Sequence, residues 1–309
     1  MASAPPLQEL VDDREEPVFP DDFLQRLAYL HLIARKVLSG ELKAEHRSRK
    51  KGASIEFADH RPYSPGDDFR FIDWGVYFRT DHLFLKLFEE EEDLPIYILV
   101  DASGSMDFGM PYKWHYARRL AAAIAYLGLA SMGRVMVVPF TTALPTRGTD
   151  WLRLRGKAKV YRLLDFLRGQ EAAGETSLSG ALTGLAQSKH KRGIAIVVSD
   201  LYDNEGLFEA LNALRYQKFE CFVAHVVSPQ EAAPTLLGDV RLIDSETEAV
   251  RQVTLTESHL RAYSKRFAEW CASIETFCRQ KEIGFVRCRT DIPFDETVVH
   301  MLRRGRLFQ

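Results

Sequence analysis

Ile96-Tyr97-Ile98-Leu99-Val100-Asp101-Ala102-Ser103-Gly104-Ser105-Met106 is the stretch on which the fold turns. The apolar run from Ile96 to Val100 has the length of a buried strand. It delivers a carboxylate and two hydroxyls, Asp101, Ser103 and Ser105, at alternate positions of a turn. An all-oxygen group at a strand end suits a small hard cation such as Mg²⁺, which keeps positions open for water or a partner's oxygen.

Outward from this stretch, strand-length apolar runs alternate with amphipathic helical patterns. Strands are expected at Ile96–Val100, Val135–Phe140, Ile194–Ser199, Cys221–Val227 and Ile283–Arg287. Helices are expected at Tyr112–Ser131, Ala158–Leu167, Leu178–Ser188, Leu207–Gln217 and Glu257–Lys281, with a short one after Pro293. Continuous apolar strands between helices predict a mostly parallel α/β sheet flanked by helices. Ligands in such open sheets bind beyond the carboxyl ends of the strands, and the Asp101 turn sits there. Gly174-Glu175-Thr176-Ser177 precedes a helix, and Ile194 to Asp200 is a strand run ending in a carboxylate. In a parallel sheet, Asp101, Ser103, Ser105, Thr176 and Asp200 all reach one edge.

The N-terminal third reads differently. Residues 1–20 are rich in Pro and acid and read as a loose arm. Asp21 or Asp22 caps a helix with apolar spacing from Phe23 to Leu38, stopped by Gly40. The basic run Lys43 to Lys51 reads as a solvated connector. Residues 54–91 read as β-rich, with strands at Phe69–Trp74 and Leu83–Phe88, a turn at Ser64-Pro65-Gly66-Asp67, and the acid run Glu89 to Asp93 closing the module. The expected division is an arm over 1–20, a helix plus β-rich module over 21–94, and the α/β domain over 95–309. Asp67, Asp68 and Asp73 bracket Arg70, which reads as an Arg–carboxylate network locking the module down, with a second acidic site as the sharper alternative. His60 is expected to face away. Trp74, Tyr77 and Phe78 read either as packing between modules or as an exposed patch for a partner.

Composition limits the function classes. The chain has 309 residues, 46% hydrophobic and 27% charged, with a formal net charge of −2. That is an ordinary globular composition, and near-neutral charge gives no general attraction to nucleic acid or membrane. The longest apolar stretches stop short of the ~20 residues a membrane span needs. No signal-peptide pattern opens the sequence. The four cysteines, Cys221, Cys271, Cys278 and Cys288, lack Cys-x-x-Cys spacing and read as buried thiols of a cytoplasmic protein.

Two carboxylates and three hydroxyls give a site of low ligand charge, so a cation there stays electrophilic toward an incoming carboxylate. Asp-x-Ser-x-Ser after a buried strand, a later Thr in a Gly-x-Thr-Ser loop and an Asp ending a third strand resemble the metal-ion-dependent adhesion site of von Willebrand factor A domains. The resemblance implies a von Willebrand A-like, Rossmann-like fold. It implies Mg²⁺ bound directly by Ser103, Ser105 and Thr176, with Asp101 and Asp200 acting directly or through water and a partner protein supplying an Asp or Glu. Mn²⁺ and Ca²⁺ accept the same oxygen donors. The bland alternative is that Asp101 and Ser103 only cap the following turn. A haloacid dehalogenase-type phosphatase would need a second carboxylate two residues after Asp101, where Ser103 stands. A serine nucleophile would need a positioned base, and His115 lies in a helical pattern without such a placement. No phosphate-loop motif is present, so no catalytic residue is assigned.

A second resemblance spans His46 to Glu92. His46-Arg47-Ser48, Lys51-Gly52-x-Ser54-x-Glu56-Phe57, Arg61-x-Tyr63-x-Pro65-Gly66-Asp67-Asp68-x-Arg70-x-Ile72-Asp73-Trp74 and Lys86-x-Phe88-Glu89-Glu90-Glu91 look like the bacterial domain of unknown function family 58. The resemblance implies this module ahead of a von Willebrand A-like domain. It also implies association with a MoxR-type AAA+ ATPase in assembly or maturation of client proteins. The expected function is therefore a Mg²⁺-dependent protein-binding adaptor. The alternatives are a metal-dependent hydrolase acting on phosphoesters or nucleic acid, and a self-assembling protein whose metal is capped by a second copy.

Overall fold

The computed structural model describes residues 14–45, 56–89, 94–131, 133–142, 144, 151–202, 206–245 and 249–304, with backbone alone at 38–45, 56–59, 87–89 and 304. In chain order the elements are α1 (Phe23–Glu45), β1 (Glu56–Pro62), α2 (Trp74–Thr80), β2 (Phe84–Glu89), β3 (Ile96–Asp101), α3 (Lys113–Ala130), β4 (Arg134–Phe140) and β5 (Leu152–Arg155). There follow α4 (Val160–Arg168), α5 (Leu178–Gln187), β6 (Ile194–Ser199), α6 (Leu207–Tyr216), β7 (Glu220–Val227), α7 (Pro229–Ala232), β8 (Gly238–Ile243), β9 (Val250–Leu255), α8 (Glu257–Gln280), β10 (Gly284–Arg289) and α9 (Phe294–Arg304).

The chain divides into two compact units, residues 1–40 with 94–309, and residues 41–93. In the larger unit a six-stranded sheet runs β5-β4-β3-β6-β7-β10, parallel throughout except for the antiparallel edge strand β5. This is the mostly parallel α/β class that the apolar runs predict. Strand side chains alternate between two cores, as period-two geometry requires. Ile98, Val100, Ile196 and Val198 enter one core with α3, α4 and α9, whereas Tyr97, Leu99, Ala195 and Val197 enter the other with α5, α6 and α8. Both faces are covered, so every residue of β3 and β6 is buried. Helix α3 is buried nearly all round, and its Ala121-Ala122-Ala123 run lets it sit close to its neighbours.

Three expectations about the N-terminal third are corrected. First, α1 belongs with the larger unit rather than with the β-rich module. Phe23, Leu27, Leu30 and Ala34 are buried in its core, Phe23 lies 5.2 Å from Phe294, and Arg26 pairs with Asp295 at 2.7 Å. Second, the helix passes through Gly40 to Glu45. One interior glycine costs only about 1 kcal/mol, and the good helix formers after it carry the helix on. Third, residues 14–20 are tied down. Val18 and Phe19 are buried, and Arg119 Nε donates to the Val18 carbonyl at 2.6 Å. Residues 1–13, most of the basic run and Glu90 to Asp93 lie outside the described residues.

In the smaller unit, β1 and β2 pair antiparallel. The strand expected at Phe69–Trp74 is instead a 3₁₀ turn, Phe69–Phe71, followed by α2. Two aspartates decide this. Asp68 accepts from the Arg70 N–H, and Asp73 accepts from the Gly75 and Val76 N–H groups, so each caps a helical turn. The expected Arg–carboxylate network is replaced by separate local pairs. Arg61 meets Asp67 at 2.7 Å, Arg70 meets Asp68 at 2.6 Å, and Asp73 pairs with His60 at 3.0 Å and Lys86 at 3.6 Å. His60 therefore faces Asp73 rather than away from it. Trp74, Tyr77 and Phe78 form a row of ring contacts, with Phe78 82% exposed.

The sequence reading did not anticipate the ribbon β8–β9, an antiparallel pair that exposes Leu242, Ile243 and Val250. Cys271, Cys278 and Cys288 are buried free thiols and Cys221 is half-buried. Among the described residues no helix is long and apolar enough to cross a membrane.

Candidate metal centre

The Asp101 turn is fastened to its neighbours by the backbone. Ala102 N donates to Phe140 O at 2.9 Å, Gly104 N to Gly174 O at 2.8 Å, and Ala173 N to Ala102 O at 2.8 Å. The first bond ties the turn to the end of β4, and the other two lash the loop that carries Thr176 to the loop that carries Ser103 and Ser105. The side chains then converge. Asp101 Oδ1 accepts from Ser103 N at 3.1 Å and from Thr176 Oγ1 at 3.4 Å. Ser103 Oγ and Ser105 Oγ are 2.9 Å apart. Ser103 makes no side-chain capping bond to the turn that follows, and Ser177, not Thr176, caps α5 through Gly180 N. Turn capping therefore does not account for the hydroxyls.

Asp200 follows β6 at the same sheet edge and is buried, but one of its oxygens has a cationic partner. Lys113 Nζ lies 2.8 Å from Asp200 Oδ2 and 2.5 Å from Glu231 Oε1, with the Lys113 side chain fully buried. Glu231 is held by the helix cap of α7, where its Oε2 accepts from Ser228 N at 2.8 Å. Ser199 Oγ donates to Asp101 Oδ2 at 2.6 Å and accepts from Leu201 N at 2.9 Å. Asp101, Ser103, Ser105 and Thr176 thus form one hydrogen-bonded group, to which Asp200 is joined electrostatically. Sequence reasoning missed Ser199, Lys113 and Glu231. Only Ser199, next to the strand-end aspartate, carried a visible signal.

The electrostatics point the same way. Burial, and then the neighbouring Asp200 charge, raise the Asp101 carboxyl to about 7 despite hydrogen bonds from Ser199 and Ser103. Burial pushes His225 down to about 3, so this imidazole adds no positive charge. Asp200 and Glu231 share the ammonium of Lys113, and Asp101, buried beside Asp200, relieves the crowding of negative charge by holding its proton more tightly. Hydroxyl and carboxylate oxygens around a carboxyl whose buried charge is disfavoured fit a small divalent cation, which would take the place of that proton. The fit depends on the hydroxyls, because among the described residues no three His, Cys, Asp or Glu side chains are grouped to hold a metal.

A mostly parallel sheet with an oxygen-lined turn at its carboxyl edge defines an α/β protein with a candidate cation-binding edge. The chain belongs to the family described as protein of unknown function DUF58, whose model matches residues 59–271. It is similar to the uncharacterized protein Rv1480 of Mycobacterium tuberculosis and the uncharacterized protein Mb1516 of Mycobacterium bovis, each 26% identical over 91% of this chain and 90% of the relative. Among solved structures it resembles BatB from Bacteroides thetaiotaomicron, at 15% identity and TM-score 0.40 over 68% of this chain and 97% of that one. An aerotolerance-related membrane protein from Bacteroides fragilis gives 16% identity and TM-score 0.41 over 68% and 98%. A von Willebrand factor type A protein from Catenulispora acidiphila gives 15% and 0.40 over 68% and 42%.

Proposed function

We propose that this chain is a divalent-cation-dependent protein-binding module. Asp101, Ser103, Ser105, Thr176 and Asp200 hold the ion, Mg²⁺ first among the candidates, and a partner protein completes it with an Asp or Glu side chain. The observation that carries this reading is the pair of buried carboxylates, Asp101 and Asp200, beside three converging hydroxyls. The cation supplies an electrophilic centre. The chain's own residues orient it: Ser199 holds Asp101, the loop carbonyls of Gly174 and Ala102 hold the two hydroxyl loops together, and Lys113 holds Asp200. The module works in the cytoplasm as the adaptor of a MoxR-type AAA+ ATPase that acts on client proteins, and no catalytic role is assigned to it. Family membership supports this reading only as far as a shared architecture.

The test has two stages. Titration calorimetry with Mg²⁺ and Mn²⁺ is expected to show one site that Asp101→Ala abolishes while the far-ultraviolet spectrum is kept. Co-purification with a MoxR-type ATPase is then expected to depend on the ion. Equal capture in EDTA would refute the metal-bridged contact.

A further inference from the structure

Lys113 opens α3 between Tyr112 and Trp114, and nothing of its charged end reaches solvent. Its Nζ lies within 2.8 Å of Asp200 Oδ2 and within 2.5 Å of Glu231 Oε1, beside the rings of Phe108 at 5.7 Å and Tyr202 at 5.5 Å. A buried ammonium tolerates such a place only when carboxylates surround it, and those carboxylates in turn cannot lie together without a cation. The backbone of the seat is set independently of the lysine, which orients the Asp200 side chain. Glu231 is fixed by the α7 capping box with Ser228, and Asp200 by its place after β6. Two fixed carboxylates facing one point make an ion position, and in this chain a side chain fills it.

We propose that Lys113 is a tethered cation occupying a second ion seat between Asp200 and Glu231. It has two consequences for the candidate metal centre. It positions Asp200 at the sheet edge, and it restricts the neighbourhood to a single divalent ion. This inference rests on the reading of Asp101, Ser103, Ser105, Thr176 and Asp200 as a cation site, but its test separates the two.

The test counts ions. Mn²⁺ is titrated into the full chain and into Lys113→Ala, with bound and free Mn²⁺ distinguished by electron paramagnetic resonance. Lys113→Ala vacates the seat and is expected to bind one more Mn²⁺ per chain than the wild type. The double variant Lys113→Ala/Glu231→Gln, which lacks half the seat, is expected to weaken that extra ion at least tenfold. A wild type that binds no Mn²⁺ refutes the candidate metal centre, whereas the gain of one ion in Lys113→Ala still upholds the second seat. The same stoichiometry in both proteins overturns the inference. Should Lys113→Ala not fold in EDTA, refolding in millimolar Mn²⁺ supports the tethered-cation role, and failure to fold in Mn²⁺ overturns it.

Discussion

Ser199 Oγ on β6 donates to Asp101 Oδ2 on β3 at 2.6 Å, with both side chains buried. The same hydroxyl accepts from Leu201 N, so one small residue joins the ends of two adjacent strands and aims the carboxylate of the candidate centre. Ser199→Ala leaves a buried carboxylate oxygen and a buried N–H without this partner. The expected loss is about 1–3 kcal/mol of stability, the cost of unsatisfied buried polar groups. Chemical denaturation in EDTA measures it. A change under half a kcal/mol, roughly the surface-substitution level, would show that the hydrogen bond does not set the Asp101 position.

Gly104 stands where no side chain fits. A Cβ there would lie 2.5 Å from the Ser245 carbonyl oxygen, so Ser245, just after β8, rests against the hydroxyl-bearing turn. Gly104→Ala must push backbone away from backbone, an overpacking strain of about 1–3 kcal/mol. Limited proteolysis is expected to cut the β8–β9 ribbon faster in the variant. An unchanged cleavage rate would mean that Ser245 is not held by this contact.

The sheet was legible because β3, β4, β6 and β7 are continuous apolar runs, and a strand buried on both faces leaves little room for another reading. The edge strand β5 was not. Leu152-Arg153-Leu154-Arg155 is short and alternating, a pattern that half-buried edges share with loops. Phe69–Trp74 misled because its aromatic residues favour strands while the aspartates before each turn favour caps, and the caps prevailed. At the site, oxygen donors in loop positions announced themselves, whereas Lys113 did not. A lysine at a helix start reads as a solvated residue, and only tertiary structure brings Asp200 and Glu231 to it.

Helix α1 is joined to the larger unit by few large side chains, so its contribution is testable residue by residue. Phe23 is 1% exposed and sits 4.8 Å from Phe19 and 5.2 Å from Phe294, ring centre to ring centre. Phe23→Ala is expected to cost about 3–5 kcal/mol, as for a buried aromatic truncation. Phe78→Ala, at 82% exposure, is expected to stay within about 0.5 kcal/mol. Similar midpoints for the two variants in urea would contradict the packing of α1.

In the smaller unit the hydrogen bond from His60, with help from the Val76 and Gly75 N–H groups and Lys86, holds the Asp73 carboxyl down at about 2. The folded value lies below the unfolded one of 3.8, so the contribution is present above about pH 4 and is lost as pH falls toward 2. Asp73→Asn removes it. Amide exchange at Gly75 and Val76, corrected for intrinsic rates, is expected to be several-fold faster in the variant near neutral pH. The two proteins should converge once the pH falls well below 2, and a gap that persists there would exclude the carboxylate charge as its cause.

Asp101 gives the opposite sign. Burial and the Asp200 charge raise its carboxyl to about 7, above the unfolded 3.8, so in metal-free protein the proton favours the folded state. Its stabilising effect is full below about pH 4 and is lost as pH rises through 7, when two buried carboxylates are left facing each other. Asp101→Asn has no such proton to lose. In EDTA the variant is therefore expected to gain on the wild type between about pH 5 and pH 8, by on the order of 1–4 kcal/mol. Millimolar Mg²⁺ should reverse that order at the higher pH by stabilising the wild type alone. Thermal melts of both proteins at the two pH values, with and without Mg²⁺, measure all of this. A Mg²⁺ shift of equal size in the variant would place the ion elsewhere and remove Asp101 from its ligands.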